Sequence, residues 1–173
     1  ARAGLMKYVH HLCTSEAMGA NCELPHNGYC EACAGCGLAF WCLTRTRAKA
    51  ADERAHAVYE RVLYNNVLGA DGRHFFYRNP LTSALVRDSW HGSPCCVGNI
   101  ARTLLALKDN LLAVSADGTT LYVNNYMDIE TDDFRMETAY PLDGKVKFTV
   151  KRGTYDRILA RFPNRAESKL YRA

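Results

Sequence analysis

Cysteine is the residue type in this sequence with the clearest capacity for chemistry. The 173-residue chain carries eight cysteines, at positions 13, 22, 30, 33, 36, 42, 95 and 96, and none after Cys96. A disulfide framework would be spread over a small secreted scaffold, whereas this chain is 48% hydrophobic and has residues enough for an ordinary core. Adjacent cysteines rarely bridge each other, but two neighbouring thiolates can bind one soft metal ion. The clustering therefore favours a metal site.

Three arrangements of the cysteines could hold a metal. Cys30, Cys33 and Cys36 form a C-x2-C-x2-C run, but iron–sulfur runs of this kind are loops, whereas this one continues into a helical pattern. A zinc site of two C-x2-C pairs would need a second pair with that spacing, and Cys95 and Cys96 are adjacent. The third arrangement places one carboxylate and three thiolates around a zinc ion: Glu31, Cys33, Cys95 and Cys96. Packing as small apolar residues is the alternative for the cysteines in general.

Two helices are predicted in the first part of the chain. Residues 28–46 begin with turn chemistry and then run apolar almost all round, which predicts a buried helix with Glu31 as its polar start. A second helix is predicted from residue 51 to residue 68, where apolar residues recur at three- and four-residue spacing. The short aromatic run at residues 75–77 is predicted to be a strand.

A third helix is predicted to carry the adjacent cysteines. Ser93 suits the N-cap, Pro94 suits the first helical position, and apolar residues follow at helical spacing up to Leu107. Cys95 and Cys96 are then expected in the first turn of this helix.

After residue 109 the hydrophobic pattern changes from a period of 3.6 to a period of 2. Strands are predicted over residues 112–115, 120–126, 135–140, 145–150 and 158–162. Asp117-Gly118 and Asp143-Gly144 supply hairpin turns. Helices followed by an antiparallel sheet indicate an α+β protein with two domains, residues 1–110 and 111–173.

Composition excludes several classes of function. Lys and Arg number 22 and Asp and Glu 18, and the charges are scattered singly, so no nucleic-acid partner is expected. No apolar run is long enough to cross a membrane, so no membrane partner is expected either. Residues 1–4 include neither an initiator Met nor the pattern of a signal peptide, so we expect a start inside a longer protein and a cytoplasmic location.

Four motifs resemble, in order and spacing, the bacterial β-L-arabinofuranosidases of glycoside hydrolase family 127. They are LPHNGYCEACAG at residues 24–35, YERVLYNN at 59–66, FFYRNPL at 75–81, and Trp90 followed by CCVGNIAR at 95–102. The later segments LYVNNY at 121–126 and RFP at 161–163 are similar to the sheet region of that family. The resemblance covers roughly residues 8–163.

The resemblance implies a fold and a set of site residues. In that family an (α/α)6 toroid is followed by β-sandwich domains, so the chain is expected to hold the C-terminal part of the toroid and the start of an antiparallel sandwich. The implied zinc ligands are Glu31, Cys33, Cys95 and Cys96. Cys95 is the implied nucleophile, Glu16 the implied acid/base carboxylate, and Tyr64 the implied sugar-pocket tyrosine.

These residues imply a retaining glycoside hydrolase acting on an L-arabinofuranoside-containing glycan. Retaining glycosidases normally use two carboxylates, and here a thiolate replaces the attacking one. The alternative is a non-catalytic module in which zinc or an iron–sulfur cluster only stabilises the fold. Because family members are much longer than this chain, we expect preceding helices to complete the sugar pocket and the 173-residue piece alone to be poorly active. The oligomeric state stays open.

Overall fold

The computed structural model describes residues 31–68, 75–77 and 95–163, and within those ranges helices precede strands. The helical elements are α1 (Ala32–Ala48), α2 (Glu53–Val62), a π-helical turn (Leu63–Val67), α3 (Cys95–Leu105) and α4 (Lys108–Leu111). The strands are β1 (Leu112–Val114), β2 (Thr120–Val123), β3 (Ile129–Glu130), β4 (Phe134–Thr138), β5 (Val146–Val150) and β6 (Arg157–Ala160). This order confirms the predicted α+β class.

Helix α1 is the centre of the helical part, because α2 and α3 both pack against it. The predicted helix over residues 28–46 is confirmed with Glu31 as its N-cap, and residues 28–30 lie outside the described part. One core joins the three helices, with these fully buried members: Ala32, Cys36, Cys42, Tyr59, Val62 and Ile100. Apolar side chains on more than one face of α1 are buried in this core, which explains why the helix has no distinct polar face.

Helix α2 begins where its sequence supplies a cap. The Asp52 side chain accepts a hydrogen bond from the Ala55 N–H at 3.2 Å, and Arg45 donates to the same carboxylate at 3.0 and 2.7 Å. An Asp at this position satisfies an N–H that has no partner within the helix. The predicted helix over residues 51–68 is thus confirmed, with its last turn in the π form.

A close approach between α1 and the π-helical turn depends on a glycine. A Cβ atom built on Gly35 would lie 2.2 Å from Oδ1 of Asn66, whose side chain is fully buried. Only a residue without a side chain lets the two segments approach this closely.

The strands form two three-stranded sheets. The first has the order β1-β2-β6 and the second the order β3-β4-β5. The turn at Asp117-Gly118 joins β1 to β2, with Gly118 at a φ of 75°, and Asp143-Gly144 lies between β4 and β5 as predicted. A second core lies among the strands, with these buried members: Leu121, Val123, Tyr126, Phe134 and Met136.

The prediction of a wholly antiparallel sheet is wrong for one pair of strands. Strand β6 pairs with β2 in parallel, with Thr120 opposite Arg157 and Val123 opposite Ala160. Residues 124–156 form the second sheet before the chain returns, so β6 enters from the same end as β2. A crossover of that length permits parallel pairing, whereas the short turns that guided the prediction permit only antiparallel pairing.

Residues 75–77 do not form the predicted strand. The carbonyl of Tyr77 instead accepts a hydrogen bond from the Ala32 N–H at 2.8 Å, at the start of α1. The side chain of Tyr77 packs against the helical core. Tyr77 therefore packs on the helices rather than in a sheet, whereas Phe75 is 43% exposed.

An ion pair joins the helical part to the sheets. Arg161 donates to a carboxylate oxygen of Glu60 on α2, and the two side chains are only 7% and 15% exposed. Tyr140 donates to the other oxygen of Glu60 at 2.5 Å. Nε of Arg161 also donates to the Asn124 carbonyl at 2.6 Å, so the guanidinium bonds both to α2 and to the end of the first sheet.

Within the described ranges, no helix combines the length and the apolar character needed to cross a membrane.

We predict that Gly35→Ala lowers the free energy of unfolding by about 1–3 kcal/mol, because the new methyl group overlaps the buried Asn66 side chain. Urea denaturation followed by circular dichroism measures this change. The matched control is Gly37→Ala in the same helix, where a Cβ meets no described atom within 4 Å. That substitution should raise the stability by about 0.5–1 kcal/mol, because alanine is the better helix former. Equal effects of the two substitutions would contradict the packing argument.

Candidate metal centre

The starts of α1 and α3 meet at one point of the helical part. Glu31 is the N-cap of α1 and its side chain makes no capping hydrogen bond, which leaves the carboxylate available. Cys33 lies in the first turn of α1, and Cys95 and Cys96 are the first two residues of α3. The prediction that the adjacent cysteines lie in a first helical turn is confirmed, whereas Ser93 and Pro94 lie outside the described residues.

Four potential ligand atoms converge at this point. One oxygen of Glu31 and the Sγ atoms of Cys33, Cys95 and Cys96 all lie within 4.8 Å of one another. The Sγ atom of Cys96 is 3.2 Å from that of Cys33 and 3.9 Å from that of Cys95. The Glu31 Oε1 atom is 3.8 Å from Cys95 Sγ and 3.9 Å from Cys96 Sγ. In the described part of the chain, this is the one group of three or more His, Cys, Asp or Glu side chains with such proximity.

These distances fit a tetrahedral ion. With zinc–sulfur bonds of about 2.3 Å, the edge of a regular tetrahedron of sulfur ligands is about 3.8 Å. The Cys95–Cys96 separation of 3.9 Å lies close to that value, and the Cys33–Cys96 separation of 3.2 Å is shorter. The fourth ligand is a carboxylate, which zinc also accepts. A set of three thiolates and one oxygen is soft and suits zinc better than magnesium or calcium.

The three thiols differ in exposure. Cys95 is exposed, Cys33 is half-buried, and Cys96 is 4% exposed and belongs to the helical core. Cys95 is therefore the sulfur that an external molecule can reach, while Cys96 is held in place by packing.

Two opposite effects act on the protonation of the thiols at this site. Burial raises the pKa of the Cys33 and Cys96 thiols, and the proximity of these two thiols raises the pKa of Cys96 further. The Cys33 backbone N–H acts in the opposite direction and lowers the pKa of Cys96, and the position of the cluster at the N-terminal ends of α1 and α3 favours thiolate and carboxylate. A bound divalent cation would also favour thiolate and carboxylate over their protonated forms.

Asn99 is a positioning residue that the sequence analysis did not identify. Its Nδ2 donates to Cys33 Sγ at 3.2 Å, and this hydrogen bond lowers the pKa of Cys33 against the effect of burial. Arg102 donates to Asn99 Oδ1 at 3.1 Å, which fixes the amide with its nitrogen toward the sulfur. Such outer contacts orient metal ligands in many sites. The available signal was spacing, since Asn99 follows Cys95 and Cys96 by four and three residues on one face of α3.

Of the other predicted site residues, the structure describes Tyr64 and does not describe Glu16. Tyr64 is half-buried in the π-helical turn, where its hydroxyl donates to the Tyr126 carbonyl at 3.4 Å and its ring packs edge-on against Tyr140. Glu16 lies outside the described residues, as do Cys13, Cys22 and Cys30. Cys36 and Cys42 are buried in the helical core, in agreement with the alternative that cysteines of this chain pack as small apolar residues.

A carboxylate and three thiols at two helix starts define a thiolate-rich candidate metal centre in an α+β chain. The family model described as β-L-arabinofuranosidase, GH127 catalytic domain, matches residues 6–109, which is more than half of the chain. The chain belongs to this family of glycoside hydrolases. The matched region contains all the site residues discussed above, and it ends just before the first strand. No curated protein gives a significant match.

We predict that the chain binds one equivalent of Zn²⁺ and that Cys33→Ser weakens this binding more than about tenfold, because one sulfur ligand is lost. Competition with a chromophoric chelator measures the affinity, and elemental analysis identifies the metal. Cys36→Ala is the matched control, because Cys36 is on the same helix but packs in the core. An iron–sulfur chromophore, or loss of metal in the control and not in Cys33→Ser, would contradict the assignment.

Proposed function

We propose that this chain forms part of a retaining β-L-arabinofuranosidase in which Cys95 is the nucleophile and Glu16 the acid/base. The observation that carries the proposal is the convergence of Glu31, Cys33, Cys95 and Cys96 within a region that matches the GH127 catalytic domain. The substrate class is an L-arabinofuranoside-containing glycan.

Exposure and position support Cys95 as the attacking group. It is the exposed thiol of the cluster, and it is the first residue of the eleven-residue helix α3. A helix N-terminus favours the thiolate over the thiol. Cys96 is buried and Cys33 accepts a hydrogen bond from Asn99, so neither is equally free to approach a sugar.

The proposed resident metal is zinc, held by Glu31, Cys33, Cys95 and Cys96. When bound, zinc keeps the cysteines deprotonated near neutral pH and holds the cluster together. The hydrogen bond from Asn99 holds Cys33, and packing in the helical core holds Cys96.

The proposed reaction is a double displacement. In the first half, Cys95 Sγ attacks the anomeric carbon, the glycosidic C–O bond breaks, and protonated Glu16 gives its proton to the leaving oxygen. In the second half, the Glu16 carboxylate takes a proton from water, the water oxygen attacks the anomeric carbon, and the C–S bond breaks to restore Cys95. Two inversions retain the configuration of the sugar.

The surrounding fold and the role of Tyr64 belong to the same proposal. Residues 1–110 would form the C-terminal part of an (α/α)6 toroid and residues 111–173 the start of a β-sandwich. The change from α4 to β1 at Leu111 and Leu112 supports this division, as does the end of the family match at residue 109. Tyr64 lies in a π-helical turn, an element that is frequent at functional sites, and is proposed to contact the sugar.

We predict that, in the longer enzyme of which this chain is proposed to form part, Cys95→Ser lowers the rate of hydrolysis of an aryl β-L-arabinofuranoside by at least about 10³-fold, because a serine hydroxyl is a much weaker nucleophile than a thiolate. Product release measured by absorbance gives the rate, and circular dichroism verifies the fold. An arabinofuranosyl inactivator should add its mass to the peptide that contains Cys95. Cys42→Ala is the control and should keep rate and labelling. Full turnover by Cys95→Ser would refute the nucleophile assignment.

A second prediction concerns the acid/base residue. Glu16→Gln should slow hydrolysis most for substrates with poor leaving groups, because these depend on protonation of the departing oxygen. Azide should restore turnover with activated aryl substrates and give an arabinofuranosyl azide, because azide attacks without a general base. Glu23→Gln is the matched control, seven residues away. Equal losses for good and poor leaving groups, with no rescue by azide, would assign Glu16 another role.

The second candidate function is a module whose cysteines only stabilise the fold. The burial of Cys96 and the packing of Cys33 against the helical core favour it. Metal removal lowers stability under both proposals, so covalent labelling of Cys95 distinguishes them.

A further inference from the structure

The three sulfur atoms of the metal cluster differ in the hydrogen bonds that they accept. Cys33 Sγ accepts a hydrogen bond from Asn99 Nδ2 at 3.2 Å, and Cys96 Sγ accepts one from the backbone N–H of Cys33. Among the described residues, the hydrogen-bond contacts of Cys95 Sγ are Cys96 Sγ at 3.9 Å and Glu31 Oε1 at 3.8 Å, and neither of these atoms belongs to an N–H group. The exposed sulfur is therefore the one that lacks an N–H donor in this part of the chain.

Exposure alone does not single out one sulfur as the reactive one. Cys96 is 4% exposed and packs in the helical core, so a molecule in solution has little access to it. Cys33 is only half-buried and Cys95 is exposed, so exposure separates these two sulfurs only by degree. A second property must distinguish Cys33 from Cys95 if only one of them attacks a substrate.

The amide of Asn99 is held with its nitrogen toward Cys33. Arg102 Nη1 donates to Asn99 Oδ1 at 3.1 Å. The opposite orientation would place the amide oxygen against the sulfur and the amide N–H groups against a guanidinium, which can only donate. The Arg102 guanidinium in turn lies over the Phe40 ring of α1, 5.4 Å from the ring centroid. Contacts on both helices therefore fix the direction of the hydrogen bond to Cys33.

A hydrogen bond to a thiolate lowers its reactivity as a nucleophile. The N–H group stabilises the negative charge on the sulfur, and this stabilisation is lost when the electron pair forms a new bond to carbon. For a bond to a charged group, the loss corresponds to about a tenfold change in rate or more. Bound zinc would keep all three cysteines ionised, so hydrogen bonds and exposure, rather than protonation, would set their relative rates.

We propose that Asn99 selects Cys95 as the reactive sulfur, because its hydrogen bond lowers the nucleophilicity of Cys33. Arg102 is the positioning residue that keeps the Asn99 amide in the required orientation. The inference rests on the proposed function, in which one sulfur of the zinc-bound cluster attacks the sugar, and it adds the reason why that sulfur is Cys95.

The test is alkylation of the zinc-loaded full chain by iodoacetamide, which reacts with sulfur and needs no sugar-binding site. Fragment ions of the digested protein give the rate for each cysteine separately. Asn99→Leu keeps a side chain of similar size without an N–H group, so the rate at Cys33 relative to Cys95 should rise about tenfold or more. Arg102→Leu should change this ratio in the same direction by a smaller factor, because the amide can then turn away from the sulfur.

Thr103→Val is the matched control on the same helix. The Thr103 hydroxyl donates to the Asn99 carbonyl at 2.8 Å, so this variant removes a bond to the Asn99 backbone and leaves the bond from the amide to the sulfur. The ratio should stay as in the unaltered chain, and the rate at the buried Cys42 should stay low in every variant.

Two outcomes would overturn the proposal: an unchanged ratio in zinc-loaded Asn99→Leu, or an equal rise at Cys33, Cys95 and Cys42, which would indicate a loosened fold. If Asn99→Leu does not retain zinc, Arg102→Leu decides, since Arg102 is exposed and lies outside the core. A chain that binds no zinc contradicts the metal centre and this inference together. Turnover by Cys95→Ser would refute the nucleophile assignment without any effect on the measured ratio, so the two failures are distinguishable.

Discussion

The structure depends most on the enforced proximity of one carboxyl group and three thiols within 4.8 Å. Two unit charges of the same sign about 4 Å apart repel by about 4 kcal/mol at an effective dielectric constant of about 20. Four ionised groups at such distances are tolerable only with a cation among them, and without one some must keep their protons. Packing elsewhere must supply the free energy that holds the helix starts together, and the core shared by α1, α2 and α3 supplies it.

That core also explains how one cluster can combine rigidity with access. Cys96 is fixed by burial, and Cys33 is fixed by Asn99, whose own amide is held by Arg102. Cys95 precedes them in α3 and faces solvent. Four protein donors are the number found in a closed structural zinc site, so access to the cluster depends on the exposed Cys95. The close approach at Gly35 contributes, because it sets the distance between α1 and the segment that follows α2.

Much of the local structure could be predicted from the sequence, because it follows from neighbours along the chain. Periodicity located α1, α2 and α3, and the Asp-Gly turns located two hairpins. The partnership of Cys33 with Cys96, which are 63 positions apart, could not be derived that way. Residue types offered it as one of three arrangements, and the resemblance to a family favoured it over the other two. The role of Asn99 was missed because it depends on the facing helix. The parallel pairing of β6 with β2 was missed because the direction of β6 depends on where the chain leaves the second sheet.

The connection between helices and sheets rests on a buried ion pair rather than on apolar packing alone. Glu60 on α2 binds Arg161 and Tyr140, and Arg161 reaches the end of β2. A buried charge pair adds little net stability over apolar side chains of the same size, but loss of either partner leaves an uncompensated charge. Such a contact therefore favours one arrangement of the helices and the sheets, while it adds little to the free energy of unfolding. Glu60 lies on α2, and α2 packs against α1, which carries Cys33. The buried ion pair therefore connects the sheets, through α2, to one of the two helices of the metal cluster.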